Sequence, residues 1–137
     1  MMNKRKIGAV YEERAAVYLE EKGYRILRRN YANRYGELDL IAALHPDPEV
    51  AKTRRPEELL FIPGTILVVV EVKYRSYQTS GDPSEAVTPG KMKHICRTTV
   101  GFYLEQGLSD AFPCRFDVIS IYRDGSIRHI EDAFLFQ

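Results

Sequence analysis

The feature that most constrains the fold is an apolar run in the middle of the chain. Residues 66–73 read Ile-Leu-Val-Val-Val-Glu-Val-Lys. Its length and β-branched content predict a strand buried on both faces, because a half-buried strand would alternate apolar with polar residues. Such a strand lies in the centre of a sheet that helices cover. We therefore expect an α/β protein.

The segments around this strand predict the order α-β-β-β-α-β-β and a mixed sheet flanked by helices. We expect, in chain order, a helix over residues 8–21, strands over 24–31, 37–42 and 66–73, a helix over 88–107, and strands over 115–122 and 126–130. Thr88 as N-cap with Pro89 at the first helical position favours the start of the second helix. That helix should connect its two flanking strands in a right-handed parallel crossover.

Size and composition agree with one globular domain over residues 1–137. Of the 137 residues, 45% are hydrophobic, which is enough to build a core. The net charge is only +1, which argues against a protein that coats nucleic acid through its overall charge. A local basic face is compatible with this net charge. No apolar run reaches membrane-spanning length, and we expect a cytoplasmic protein without a membrane partner. The two cysteines and three histidines are too scattered to indicate a zinc site.

Residues 44–64 interrupt the periodic pattern. This segment contains Pro46, Pro48, Pro56 and Pro63 and shows neither strand nor helix spacing. A loop of this length inside a compact domain is either functional or an insertion. We predict a loop insertion.

Charged residues in two predicted strands define a candidate site. Glu71 and Lys73 are two positions apart on one strand and therefore share a face. Asp39 lies in the preceding strand, on the face opposite Leu38 and Leu40 by alternation, and antiparallel pairing would bring it beside Glu71. Taken separately, Glu71 and Lys73 are typical of an ordinary ion pair, and Asp39 of a solvated strand residue. Their combination favours a functional site.

Glu12 is a fourth candidate. It lies within a stripe of small and apolar residues on the first helix, which consists of Gly8, Ala15, Ala16 and Leu19. A carboxylate in such a stripe must be desolvated or partnered. Glu12 therefore either forms a buried salt bridge, for example to Lys73, or belongs to the site.

Asp39, Glu71 and Glu12 in one pocket would repel one another. Two like charges about 5 Å apart repel by roughly 3 kcal/mol at an effective dielectric constant near 20. One lysine cannot offset three carboxylates, whereas a hard divalent cation can, and oxygen ligands select Mg²⁺ or Mn²⁺. The sequence thus predicts Asp39, Glu71 and Glu12 as metal ligands. Lys73 would complete the catalytic set by orienting or deprotonating an attacking water.

Basic and aromatic residues near this site have two readings. Arg34, Arg75, Lys91, Lys93 and Arg97 are predicted nucleic-acid contacts, which would hold phosphates without reading sequence, although charge runs are usually solvated. Tyr35, Tyr74 and Tyr77 could stack on bases, but we expect packing roles for them. Asp117 is expected to form an ion pair with Arg115.

Three segments closely resemble the YraN family of small bacterial proteins. They are Gly-Glu-Leu-Asp-Leu-Ile at residues 36–41, Val-Glu-Val-Lys-Tyr-Arg at 70–75 and Arg-Phe-Asp-Val at 115–118. That family is assigned to the restriction-endonuclease-like, PD-(D/E)xK nuclease superfamily. The resemblance implies a restriction-endonuclease-like fold in which Asp39, Glu71 and Lys73 form the nuclease signature. Glu12 would be an extra carboxylate similar to one in archaeal Holliday-junction resolvases.

Two functions follow from these observations. The leading hypothesis is a Mg²⁺-dependent endonuclease that hydrolyses phosphodiester bonds of DNA, with branched or recombining DNA as the substrate. The alternative is a non-catalytic nucleic-acid-binding or adaptor protein that retains the nuclease fold. Nucleic acid is the expected partner in both cases, and a homodimer is left open.

Overall fold

The computed structural model describes residues 4–76 and 87–137, with side chains from residue 8 onward. Its helices and strands are, in chain order, α1 (Lys4–Glu21), β1 (Arg25–Asn33), β2 (Gly36–Leu44), α2 (Pro48–Lys52), β3 (Ile66–Arg75), α3 (Pro89–Gln106), β4 (Cys114–Tyr122) and β5 (Ile127–Phe134). A 3₁₀ helix over Pro56–Phe61 lies between α2 and β3. The predicted α/β class and the order of the long helices and strands are confirmed.

The strands form one mixed sheet in the order β1-β2-β3-β4-β5. β3 and β4 are parallel, whereas the other neighbouring strands are antiparallel. The predicted parallel connection through the second long helix is therefore confirmed. β3 is the middle strand, and it is buried continuously from Leu67 to Glu71.

Each face of β3 packs against a different helix. Val69 lies in a cluster with Ile95 and Phe102 of α3. Val68 and Val70 lie in a second cluster with the small residues of α1. Because both faces of the strand are covered, none of its middle residues needs to be polar, which explains the unbroken apolar run.

The ends of α3 follow the predicted chemistry. The Thr88 side chain caps the helix by accepting a hydrogen bond from Lys91 N at 3.2 Å. Gly107 ends the helix with φ of 69°, a left-handed conformation that glycine adopts without steric cost. The first turn of α3 is thereby fixed.

Residues 44–64 do not form the expected plain loop. They contain α2 and the 3₁₀ helix, and Leu59 and Leu60 are buried in the cluster beneath α3. Pro48 and Pro56 stand at the first positions of these helices, so they start helices here and do not interrupt them. Helices of five and six residues are too short to show the periodicity that sequence reasoning needs.

Candidate functional site

The sheet opens between β2 and β3 at the level of Asp39. The two strands pair from Leu44–Ile66 to Leu40–Val70, where their register ends. β3 continues beside β4 for five more residues, up to the pair Arg75–Tyr122. Beyond Val70, no strand among the described residues pairs with the edge of β3 that faced β2. We call this opening beside residues 71–75 the strand gap.

The Asp39 carboxylate lies at the start of the strand gap. Its Oδ2 accepts a hydrogen bond from Val72 N at 2.8 Å, at the level where a backbone carbonyl of β2 would otherwise continue the ladder. A side chain of β2 thus replaces its backbone as the partner of β3. This arrangement holds the carboxyl group against the end of β3, next to Glu71.

The alternation of side chains breaks at Asp39. Leu38 packs in the cluster beneath α3, whereas Leu40 packs in the cluster beneath α1, so the prediction that they share a face is wrong. Opposite them in β1, Asn30 has φ of 51° and lies between the paired residues Arg29–Leu40 and Tyr31–Leu38. A left-handed residue rotates the strand locally, and asparagine tolerates this conformation better than most residues. Sequence periodicity alone does not show such a rotation.

Glu71 is a buried carboxylate with two lysine partners. Its side chain is 8% exposed, and its Oε1 lies 3.3 Å from Lys73 Nζ and 3.5 Å from Lys91 Nζ. A buried carboxylate is unfavourable without compensation, and two ammonium groups supply that compensation. The predicted proximity of Glu71 and Lys73 is thus present. Lys91, which we expected only as a phosphate contact, also belongs to this cluster.

The pKa of Asp39 reflects these surroundings. The pKa of Asp39 is raised from 3.8 to about 7 in total. Burial is the largest cause, and the charges of Glu71 and Glu12 add to it, while the hydrogen bond from Val72 N and the charge of Lys91 act in the opposite direction. Near neutral pH the carboxyl group is therefore close to half protonated. It gains a full negative charge only when the pH rises or when a cation arrives beside it.

Glu12 approaches the site from α1. Ala15, Ala16 and Leu19 of its predicted stripe are fully buried, and Glu12, between Gly8 and Ala15, is half-buried. Its charge is near enough to raise the pKa of Asp39. Among the described residues, Lys73 pairs with Glu71 and not with Glu12, so the salt bridge considered for Glu12 is not formed with that lysine.

The described side chains fit a divalent cation whose remaining ligands a substrate would supply. Within residues 8–76 and 87–137, no three His, Cys, Asp or Glu side chains lie close enough together to hold a metal ion. Mg²⁺, however, is commonly held by one or two carboxylates, with water and substrate phosphates as further ligands. Asp39 and Glu71 match that donor set. Glu12 does not complete a set of three ligands with Asp39 and Glu71 among the described residues, so the predicted three-carboxylate arrangement is not formed.

The predicted nucleic-acid contacts are distributed along α3 and two neighbouring segments. Lys93 and Arg97 are exposed on α3, and Arg75 is half-buried at the end of β3. The Arg34 guanidinium lies over the Tyr35 ring, 4.8 Å from its centroid, in the turn between β1 and β2. That turn rests on α3, where Asn33 Nδ2 donates to Thr98 O at 3.0 Å. Arg34 and Arg97 are consequently carried by segments in direct contact.

Asp117 belongs to a separate network. It is fully buried and accepts hydrogen bonds from Arg115 Nε at 2.9 Å, Arg115 Nη2 at 2.8 Å and Asp132 N at 3.0 Å, with His129 Nε2 at 2.7 Å. Burial alone raises the pKa of Asp117, but the hydrogen bonds from His129 and Arg115 hold it below its usual range. The expected ion pair with Arg115 is present. This carboxylate links β4 to β5.

The fold and the site together define a class of protein. It is an α/β protein whose central β3 carries a buried carboxylate and a lysine at an opening of a mixed sheet. No helix among the described residues has the length and apolar character needed to cross a membrane.

The comparisons with known proteins identify the family. The model of an uncharacterised protein family, UPF0102, matches residues 11–121. A UPF0102 protein of Lachnoclostridium phytofermentans is 38% identical over 133 residues, which cover 97% of this chain and 96% of that protein. One of Alkaliphilus oremlandii is 39% identical over 137 residues, covering 97% and 100% respectively. The chain belongs to the UPF0102 family, which is the YraN family that its motifs resemble.

Proposed function

We propose that the protein is a metal-dependent endonuclease that hydrolyses phosphodiester bonds of DNA, with branched or recombining DNA as its substrate. The observation that carries the proposal is the cluster at the strand gap. There, a carboxyl group with a pKa of about 7 lies beside a buried glutamate that two lysines contact. Groups with strongly perturbed pKa values in an opening are typical of functional sites.

Each residue has a distinct role in this proposal. Asp39 and Glu71 would hold the cation, since Asp39 accepts a hydrogen bond from Val72 N of β3 and Glu71 is itself a residue of β3. A bound Mg²⁺ would supply a polarised phosphate and a water of lowered pKa. Lys73 is 31% exposed and therefore reaches solvent, so its ammonium can orient the attacking water or bind a phosphate oxygen. Lys91 can bind a second phosphate oxygen once the cation neutralises Glu71.

The exposed cations of α3 support a nucleic-acid substrate. Lys91, Lys93 and Arg97 lie on the helix whose first turn contacts the site, and Arg34 lies on the turn that packs against this helix. A nucleic-acid strand whose phosphates contact these residues along α3 would therefore lead into the strand gap. Contacts of this kind position nucleic acid without reading its sequence. This agrees with a nuclease that selects structure.

The proposal is tested by incubating the protein with linear, flapped and four-way DNA, and with matching RNA, in Mg²⁺, Mn²⁺ or chelator. We expect cleavage of DNA only with a cation, and faster cleavage of the flapped or four-way substrates. Lys73→Ala should lose cleavage, whereas Lys52→Ala, an exposed lysine on α2, should retain it. No cleavage of any substrate in either cation would contradict the proposal.

One observation favours the second candidate, a nucleic-acid-binding protein without turnover. Lys73 and Lys91 already compensate Glu71 without a cation. A binding protein could use the same two lysines to hold phosphates. In that case DNA binding would be tight in chelator, cleavage would be absent, and Asp39→Asn would leave binding unchanged.

A further inference from the structure

Two tyrosines form a stacked pair at the strand gap. The ring centroids of Tyr11 and Tyr74 are 4.4 Å apart and their planes meet at 16°. Tyr11 packs against the cluster beneath α1, so that side of the pair is anchored. Tyr74 packs on Tyr11, as expected for it, but it is also 43% exposed. The pair therefore offers solvent the ring of an aromatic side chain whose position is fixed from behind.

The pair adjoins site residues on both elements that supply it. Tyr11 directly precedes Glu12 on α1, and Tyr74 directly follows Lys73 on β3. Successive side chains of a strand point to opposite faces, so Tyr74 projects toward α1 while Lys73 projects toward α3. The open edge of β3 runs between them. One wall of the strand gap thus carries charges and the other carries aromatic rings.

We propose that the Tyr11–Tyr74 pair is a stacking site for an unpaired nucleobase beside the scissile phosphate. This inference rests on the proposed function and names its substrate class more closely: nucleic acid with single-stranded nucleotides at the cleavage position, such as a flap or a branch. A nucleotide carries its phosphate and its base on opposite sides of the sugar. A strand that crosses the open edge of β3 would present a phosphate to Lys73 and a base to Tyr74.

Stacking on a tyrosine would select unpaired nucleotides, because the face of the base must be accessible. In an intact duplex each base is stacked between neighbours, so its face cannot contact a tyrosine unless the base is extruded at a cost of a few kcal/mol. An unpaired base carries no such cost. Base–aromatic stacking tolerates any sequence because every base has a π face. The site would therefore select single-stranded character and not a particular base.

The test measures affinity by fluorescence anisotropy, in chelator so that no cleavage occurs. The probes are a flapped duplex and the same duplex without its flap, and the variants are Tyr74→Leu, Tyr74→Phe and Tyr11→Leu. Phe61→Ala is the matched control, since Phe61 is an aromatic residue that is 81% exposed on the 3₁₀ helix. Circular dichroism melting establishes that each variant is folded.

We expect Tyr74→Leu to weaken binding of the flapped duplex by roughly five- to a hundredfold and binding of the plain duplex by less than about twofold. Tyr11→Leu should act in the same direction because it removes the support behind Tyr74. Tyr74→Phe retains the ring and should bind like the wild type, as should Phe61→Ala. If Tyr74→Leu is unfolded, the ratio of the two affinities in Tyr11→Leu decides the question.

Failure of this inference differs from failure of the proposed function. If the wild type cleaves flapped DNA with Mn²⁺ but Tyr74→Leu and Tyr11→Leu weaken both probes equally or neither, the stacking site is overturned and the nuclease stands. If the wild type never cleaves yet loses flap affinity with Tyr74→Leu, the nuclease is overturned and the stacking site stands. If the wild type binds neither probe and cleaves neither in Mn²⁺, both are overturned.

Discussion

Replacing Asp39 with asparagine should stabilise the metal-free protein at neutral and alkaline pH. The pKa of Asp39 is raised from 3.8 to about 7, chiefly by burial and then by the charge of Glu71, so the folded protein holds the proton more tightly than the unfolded chain does. The stabilisation from this protonated group is fully present below pH 3.8. It is lost as the pH rises through about 7.

The size of the effect follows from the two pKa values. The difference between 3.8 and about 7 corresponds to at most about 4 kcal/mol in the free energy of unfolding. Asparagine carries no charge, and its side-chain oxygen can still accept the hydrogen bond from Val72 N. The free energy of unfolding of Asp39→Asn should therefore exceed that of the wild type by up to about 4 kcal/mol at pH 8. At pH 4 the two free energies should nearly coincide.

The assay is a series of urea unfolding curves at pH 4 to 8, followed by melting curves at pH 8 with increasing Mn²⁺. A ligand that binds only the folded state stabilises it by roughly 2.7 kcal/mol at a hundredfold excess over its dissociation constant. The wild type should show this increase and Asp39→Asn should not. If Asp39→Asn is less stable than the wild type at pH 8 and both ignore the ion, then Asp39 is a structural hydrogen-bonding residue and the reasoning is refuted.

Two further predictions concern α3 and the network around Asp117. Arg97→Ala should weaken nucleic-acid binding for all sequences and reduce the slope of log affinity against log salt by about 0.9. Lys52→Ala, as the control, should leave the slope unchanged. An unchanged slope in Arg97→Ala would mean that this face of α3 is only solvated. Asp117→Asn should have the opposite pH dependence to Asp39→Asn. The hydrogen bonds from His129 and Arg115 lower the pKa of Asp117, so the ionised carboxylate stabilises the folded protein above pH 3.8. This stabilisation is lost as the pH falls through the lowered pKa. Urea unfolding curves should therefore show that Asp117→Asn is less stable than the wild type at pH 7. Equal stability of Asp117→Asn and wild type at pH 7 would contradict this role.

Much of the fold could be predicted from local chemistry. The apolar run of β3 indicates a central strand because burial on both faces leaves no place for polar residues. Thr88 and Gly107 mark the ends of α3, since capping depends on residues at those ends and not on distant contacts. The prediction of a plain loop over residues 44–64 is wrong because prolines that start short helices look, in sequence, like prolines that interrupt helices.

The candidate site could be predicted only in part. Glu71 and Lys73 share a face by strand alternation, which is a local property. Lys91 reaches Glu71 only because the crossover places the first turn of α3 over the end of β3, a tertiary fact. The break in alternation at Asp39 lies opposite Asn30 of the neighbouring strand, whose left-handed conformation no periodicity reveals. The stacking of Tyr11 on Tyr74 likewise joins two distant segments.

The central claim is that Asp39, Glu71 and Lys73 form a cation-dependent hydrolytic site. Its most direct test is the single-turnover rate of cleavage of a flapped DNA in Mn²⁺, measured side by side for the wild type, Glu71→Gln and the exposed control Glu49→Gln. We predict that Glu71→Gln, folded by circular dichroism, loses roughly a hundredfold or more in rate, while Glu49→Gln matches the wild type. Equal rates for wild type and Glu71→Gln, or a wild-type rate that chelator does not abolish, would contradict the claim.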